Sequence, residues 1–112
     1  MPPDQIPQGT MHLLILKTLA ESGELHGYEI AEAIERQSGE VLTVEEGSLY
    51  PALQRMLVKG WVTAEWSTTG ENRRARYYRL SASGRKQLRT EVAQFERVVG
   101  AIMRIVQATS GP

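Results

Sequence analysis

The C-terminal part of the chain carries a heptad seam of apolar residues. Their spacing alternates between four and three residues, which is typical of a helix that packs against another helix. Ser81 is a suitable cap for one helix reaching Gln107, about 26 residues and roughly 39 Å long. Three heptads of apolar surface would not stay exposed to water, so the pattern predicts a second subunit. The seam residues are Leu88, Val92, Phe95, Val99, Ile102 and Val106.

Three shorter helices and a hairpin precede this long helix. Thr10 is a suitable cap for the first helix, Met11 to Leu19, which is apolar on nearly all sides and should be buried. After Gly60 the sequence alternates as a strand does. Trp61 and Trp66 then face opposite sides, so one should be in the core and the other should cover an interface or an edge. The expected elements are helices at 11–19, about 26–39 and 46–59, and strands at 61–67 and 76–80.

The order of these elements predicts the fold class. It is mainly α with a β-hairpin wing, a winged helix-turn-helix, plus a long C-terminal dimerisation helix. The length of 112 residues and the 41% hydrophobic content fit one compact unit. We divide the chain into a flexible N-terminal arm (residues 1–9), a winged helix-turn-helix DNA-binding domain (10–80), the dimerisation helix (81–107) and a frayed tail (108–112).

A net charge of zero hides two halves of opposite sign. Residues 1–72 carry 4 Lys and Arg against 11 Asp and Glu, whereas residues 73–112 carry 9 against 2. Seven basic residues and no acidic one lie between Arg73 and Thr90. Such a segment is typical of a patch that binds a polyanion, although a solvated helix face and loop would give the same count.

The residue types present argue against catalysis. No cysteine occurs, which excludes disulfides, thiolate nucleophiles and cysteine-ligated metals, and His12 and His26 lack metal-ligand spacing. Without a phosphate-binding glycine loop or a Ser-His-Asp set, we expect no enzyme, no metal and no cofactor. No apolar run reaches the roughly 18 to 20 residues of a membrane span, and the N-terminus lacks the pattern of a signal peptide. We therefore expect a cytoplasmic protein with no membrane partner.

Four stretches, in order along the chain, resemble the PadR family of bacterial transcriptional regulators from about Gly9 to Val106. They are GTMHLLIL at 9–16, HGYEI at 26–30, GSLYPAL at 47–53 and RYYRLSASG at 76–84. The short length is similar to that of a subgroup from Acidobacteria. The resemblance implies a repressor that binds operator DNA as a dimer through paired winged helices. The resemblance also implies that, as in some members of the family, the operator DNA is released when a small ligand enters the dimer interface.

The third helix of this fold presents its first turn to the major groove. Ser48 and Tyr50 can therefore offer hydroxyls to phosphates or base edges, with Pro51 beside them at an early position that lacks an N–H partner. The alternative is that Ser48 caps the helix and Tyr50 packs on the hairpin. Arg55 and Lys59, on the same helix, would hold phosphates or only solvate that face.

The wing supplies the other candidate DNA contacts. Arg73, Arg74 and Arg76, with Tyr77 beside them, would lie along the DNA backbone or in the minor groove. A charged hairpin edge that prevents aggregation is the alternative. For Tyr28 the resemblance implies a role in orienting the helix-turn-helix on DNA, and a core tyrosine is the alternative.

The expected partners are double-stranded DNA and a second copy of the chain. Leu13 and Leu16 join the seam residues in the expected dimer interface. Phe95 and Met103 are candidates for an effector pocket between subunits, because aromatic and thioether side chains suit a small hydrophobic ligand; the alternative is plain dimer core. The alternative function is a winged-helix module that binds a protein and no DNA.

Overall fold

The computed structural model describes residues 4–7 and 9–109 of the chain. Helices dominate this range, and the longest pair of strands forms a hairpin between the third and fourth helices. Its order is the one expected from the sequence. The elements are β1 Asp4–Gln5, α1 Met11–Ser22, β2 Leu25–His26, α2 Gly27–Gln37, β3 Leu42–Thr43, α3 Glu46–Val58, β4 Val62–Thr68, β5 Arg74–Leu80 and α4 Ala82–Val106.

Helix α1 lies at the centre of the hydrophobic core. Ile15, Leu16 and Leu19 have no exposed surface and pack against residues from the other two short helices and the hairpin. The expectation that Leu16 lies in a dimer interface is therefore wrong, because its side chain is fully enclosed by its own chain. Leu13 is only half-buried. The remaining core residues are Ile30, Ile34, Leu49, Ala52, Leu53, Met56, Val62, Tyr78 and Leu80.

The hairpin belongs to a three-stranded antiparallel sheet with strand order β2-β5-β4. Val62 pairs with Leu80 at its base, and Thr68 pairs with Arg74 near its tip. The tip is closed by Thr69, whose amide donates to the carbonyl of Arg73 at 2.7 Å. Its hydroxyl oxygen also accepts from the amides of Glu71 and Arg73. We call residues 66–76 the wing.

Helix α3 begins without a side-chain cap. Glu45 is the N-cap residue and makes no capping hydrogen bond, and the backbone ladder starts with the Leu49 amide donating to the Glu45 carbonyl. Pro51 is the sixth helical residue and lies beyond the positions whose amides have no helical partner. The explanation expected for it is therefore wrong: Pro51 removes the ladder bond to the carbonyl of Gly47. Ser48, the third helical residue, does not cap the helix either.

Helix α4 is joined tightly to the body formed by residues 11–80. As expected, Ser81 caps it: the Ser81 hydroxyl oxygen accepts from the Gly84 amide at 3.0 Å and donates its proton to the Gly60 carbonyl at 2.6 Å. A Cβ on Gly84 would lie 2.0 Å from the carbonyl oxygen of Trp61, so only glycine fits there. Leu88 packs against the core of its own chain, whereas from Phe95 onward most side chains are exposed. No helix in the described part of the chain is long and apolar enough to span a membrane.

Part of the expected N-terminal arm is structured. Residues 1–3 and 8 lie outside the described residues, and the same holds for 110–112 of the expected tail. Asp4–Gln5, however, pairs in parallel with Leu42–Thr43, and the Asp4 amide donates to the Val41 carbonyl at 2.6 Å. Thr10 takes the N-cap position of α1 but its hydroxyl donates to the Pro7 carbonyl. The arm is thus tied to the segment just before α3.

Candidate nucleic-acid interface

A single open cleft of about 930 Å³ lies between the start of α2, the first turns of α3 and the wing. It brings together six of the ten residues proposed from the sequence for DNA contact. Its lining combines charged and aromatic side chains with the buried Tyr78 and the start of α2. The six residues are Tyr28, Tyr50, Arg73, Arg74, Arg76 and Tyr77.

The α2 end of the cleft is fixed by a capping box. The Glu29 amide donates to Nδ1 of His26, and the His26 amide donates to the Glu29 carboxylate at 3.1 Å. The His26 ring also meets the ring of Tyr77 edge-on, with 5.3 Å between centroids. His26 is therefore structural, as expected, and it joins α2 to the hairpin. Tyr28, two residues later, is 65% exposed on the cleft rim.

Gly27 lets α3 approach α2 closely. A Cβ at this position would lie 2.7 Å from the phenolic oxygen of Tyr50. The Tyr50 ring therefore packs against the α2 backbone while the residue stays 46% exposed. Burial raises the pKa of the Tyr50 phenol, and the nearby Glu46 carboxylate raises it further. Tyr50 thus keeps its proton and can donate a hydrogen bond from a fixed position.

The three wing arginines are not neutralised by the protein. Arg79 pairs with Glu24 at 3.0 Å, but Arg73, Arg74 and Arg76 take part in none of the ion pairs found in the described part of the chain. Acidic residues do border the cleft: Glu29, Glu32 and Glu71 are part of its lining. The cleft therefore carries three unpaired arginines and one carboxylate, Glu71, on its wing side, and two carboxylates on its α2 side.

The other proposed contacts on α3 lie outside this cleft. Ser48, Pro51 and Arg55 line a second groove, about 320 Å³, against the N-terminal residues 5–7. The Arg55 Nε approaches Nε2 of His12 at 3.4 Å, and the Lys59 ammonium lies 5.2 Å from the centre of the Trp61 ring. Arg55 and Lys59 thus contact their own chain, on the side of α3 away from the wing. Their role in binding phosphates remains a prediction.

The expected interface residues on α4 differ in exposure. Leu88, Val92 and Val99 are half-buried, whereas Phe95, Ile102 and Val106 are exposed. Phe95 and Met103, the candidates for an effector pocket, are eight residues or about 12 Å apart along the helix. Neither lines the two clefts described above, so an effector pocket stays a prediction. No cluster of three or more potential metal ligands occurs among residues 4–7 and 9–109.

Residues 15–90 match the family model of the PadR-like transcriptional regulators. The chain belongs to this family. A transcriptional regulator from Clostridium thermocellum has the same fold, with a TM-score of 0.81 and 27% identity over 89% of this chain and 96% of that one. The family and this structural relative are transcriptional regulators.

The negative transcriptional regulator PadR of Bacillus subtilis is 27% identical over 70 residues, which cover 62% of this chain and 38% of that protein. Its crystal structure in complex with operator DNA has a TM-score of 0.66 and 26% identity over 77% of this chain. This PadR-like chain spans less than half of that longer relative, 48% of the chain in the complex.

Sequence reasoning did not assign Trp66 to the cleft. Trp66 lines it and lies against Arg74, with 5.1 Å between the guanidinium carbon and the ring centre. The sequence indicated that one tryptophan would be outside the core, but the contact depends on the register of the hairpin. Trp66 pairs with Arg76, which places Arg74 diagonally opposite Trp66 on the same face of the hairpin. Only this register reveals the contact.

Proposed function

We propose that this chain is a sequence-specific DNA-binding repressor that acts as a homodimer on a pseudo-palindromic operator in the cytoplasm. One observation carries the proposal: the unpaired wing arginines and the exposed Tyr50 of α3 line the same cleft. Cations give affinity for the phosphate backbone, and a helix in the major groove gives sequence readout. The operator complex of the Bacillus subtilis relative supports this use of the fold.

In this proposal α3 enters the major groove with its first two turns. Gly47 and Ser48 are exposed there, together with Tyr50 and Pro51. The hydroxyls of Ser48 and Tyr50 would face base edges or phosphates. Arg73, Arg74 and Arg76 would then contact the backbone beside the same groove.

The dimer would form through the exposed apolar part of α4. A symmetric pair places two α3 helices on one face of the DNA, so the two half-sites should be about 34 to 36 Å apart or a multiple of that. Leu13 remains available for this interface because it is only half-buried, whereas Leu16 does not.

The proposal is tested by titrating the protein against random duplex DNA at two salt concentrations. We expect binding at low salt that weakens as salt rises, because phosphate contacts release counterions. Absence of binding at low salt, or binding without salt dependence, would contradict the proposal and favour a protein partner. Footprinting on the promoter upstream of its own gene would then identify the specific site.

The wing arginines allow a sharper version of this test. Arg73→Ala with Arg74→Ala should weaken binding to all duplexes and reduce the salt slope by about one unit per lost phosphate contact. Lys17→Ala with Arg36→Ala removes the same charge from exposed positions outside the cleft and is the matched control. An unchanged slope in the wing variant would refute the wing assignment.

A further inference from the structure

Trp66 is a large aromatic residue that lies outside the hydrophobic core. It is 61% exposed at the base of the wing, although burying a tryptophan ring would stabilise the fold more than leaving it in water. The other tryptophan, Trp61, is half-buried and meets His12 edge-on at 5.8 Å. Only Trp66 is therefore available to act on a surface of the wing.

The register of the hairpin sets Trp66 beside two arginines. Trp66 pairs with Arg76 and Thr68 pairs with Arg74, so Trp66, Arg74 and Arg76 share one face of the hairpin. The Arg74 guanidinium lies 5.1 Å from the Trp66 ring centre. The Arg76 guanidinium lies 5.9 Å from the ring centre of Tyr78, which is buried. Cations and aromatic rings thus alternate from the core outward to the wing tip.

This stacking holds a cation without neutralising it. An arginine paired with a carboxylate loses most of its attraction for phosphate, whereas an arginine on an indole face keeps its full charge and its N–H donors. A free arginine must also give up much rotamer freedom when it binds, and a stacked one has already lost part of it. The Trp66 ring therefore prepares Arg74 for an anionic partner.

We propose that Trp66 is a positioning residue for DNA binding, whose ring holds the Arg74 guanidinium in the orientation that meets a duplex phosphate. The inference rests on the proposed DNA-binding function. It adds a residue that acts through Arg74 and does not itself read bases.

A double-mutant cycle tests this, with binding of the full chain to a mixed-sequence duplex of about 30 base pairs measured by fluorescence anisotropy at several salt concentrations. Trp66→Ala should weaken binding about 3- to 10-fold and leave the salt slope unchanged, because Arg74 keeps its charge. Arg74→Ala should weaken binding and reduce the slope by about one unit per lost phosphate contact. The double variant should bind as Arg74→Ala does, since Trp66 has nothing left to position.

Two conservative variants separate stacking from simple packing. Trp66→Tyr keeps a π face and should restore most of the affinity, whereas Trp66→Leu keeps apolar bulk and should not. Ser67→Ala is the control, because Ser67 is exposed on the same strand and points to the other face of the hairpin. The Tyr and Leu variants decide the matter even if Trp66→Ala proves poorly folded.

The outcomes distinguish this inference from the function on which it rests. If the wild-type chain does not bind duplex DNA at low salt, both are overturned. If it binds but the losses from Trp66→Ala and Arg74→Ala add, Trp66 contacts DNA or supports the wing independently, and the positioning role is wrong. Equal affinity of Trp66→Leu and Trp66→Tyr would overturn it as well.

Discussion

The body of residues 11–80 and the second half of α4 contain the same types of apolar residue, but the body buries them and α4 exposes them. In the body, Ile15 and Leu53 have no exposed surface. In α4, Ile102 is 51% and Ile105 is 77% exposed. The core of the body is closed by residues of its own chain, Leu88 of α4 included, whereas an exposed stripe of this kind is typical of a surface that another chain covers. Stability and assembly should therefore be separable by substitution.

The largest effect is expected from charging the exposed seam. Phe95→Glu with Ile102→Glu places two carboxylates on apolar positions one heptad apart and should give folded monomers. Because two linked binding units gain affinity from each other, DNA binding should fall roughly 10²- to 10⁴-fold. Mass by light scattering and helix content by circular dichroism give the two readouts.

The matched control adds the same charge to the other side of α4. Thr90 and Ala93 are exposed and lie about 180° from the seam on a helical wheel. Thr90→Glu with Ala93→Glu should keep the wild-type mass and most of the DNA affinity. A seam variant that remains dimeric would remove α4 from the interface and break the comparison.

In the body, truncating a core residue should instead reduce the stability of each chain. Leu53→Ala leaves a cavity among fully buried neighbours and should lower the free energy of unfolding by about 2–5 kcal/mol. Ile105→Ala, made on the exposed part of α4, is its counterpart and should cost less than about 0.5 kcal/mol.

Urea unfolding of both variants in the Phe95→Glu, Ile102→Glu background excludes any contribution from dimer dissociation. Equal losses in the two variants would mean that the body and the second half of α4 share one core, and the contrast between them would be wrong.

The next largest effect is expected at Gly84, where α4 meets the body, and the sign of the change in stability is informative. Helix propensity alone predicts that Gly84→Ala stabilises α4 by up to about 1 kcal/mol. The new Cβ, however, would lie 2.0 Å from the Trp61 carbonyl oxygen, which is backbone and cannot move aside cheaply. We expect a net loss of about 1–3 kcal/mol. Thermal unfolding measures it, with Ser83→Ala, exposed in the same turn, as control; a gain in stability would show that α4 is not seated on the body there.

Sequence reasoning succeeded where the signal was local. The Ser81 cap, the heptad spacing and Gly60 located α3 and α4 to within about two residues, because each is a property of consecutive residues. The same holds for the hairpin, whose returning strand starts two residues earlier than expected, at Arg74.

It failed where the outcome depends on residues far apart in the chain. The sequence around Leu16 does not distinguish a core residue from a residue of a dimer interface. Only the packing of α1 against α3 and the hairpin shows that Leu16 is enclosed. The pairing of Asp4–Gln5 with Leu42–Thr43 joins segments without a strong strand pattern. The α3 candidates line two different grooves because the wing and the N-terminal residues lie on different sides of α3. The contact of Arg74 with Trp66 likewise depends on the pairing of the two hairpin strands.

The smallest expected effect is a pH dependence at the point where α1, α3 and α4 meet. Burial lowers the pKa of His12 below its ordinary value of 6.5, and the Arg55 charge lowers it further; Lys59 acts in the same direction, whereas Glu91 of α4 opposes it. The unfolded chain therefore binds a proton at His12 more readily than the folded chain does. Stability from this group is fully present above about pH 6.5 and is lost as pH falls through the lower pKa of the folded state.

His12→Gln should remove this dependence. The quantity to measure is the difference in Tm between wild type and His12→Gln from about pH 7.5 to 5.5, because carboxylate titrations are common to both and cancel. We expect wild type to lose Tm relative to the variant toward the acidic end. A relative gain there would mean that Glu91 outweighs burial and the two cations. Helix α4 would then stabilise the charged histidine, and the body and α4 would be coupled electrostatically at the same place where Gly84 couples them sterically.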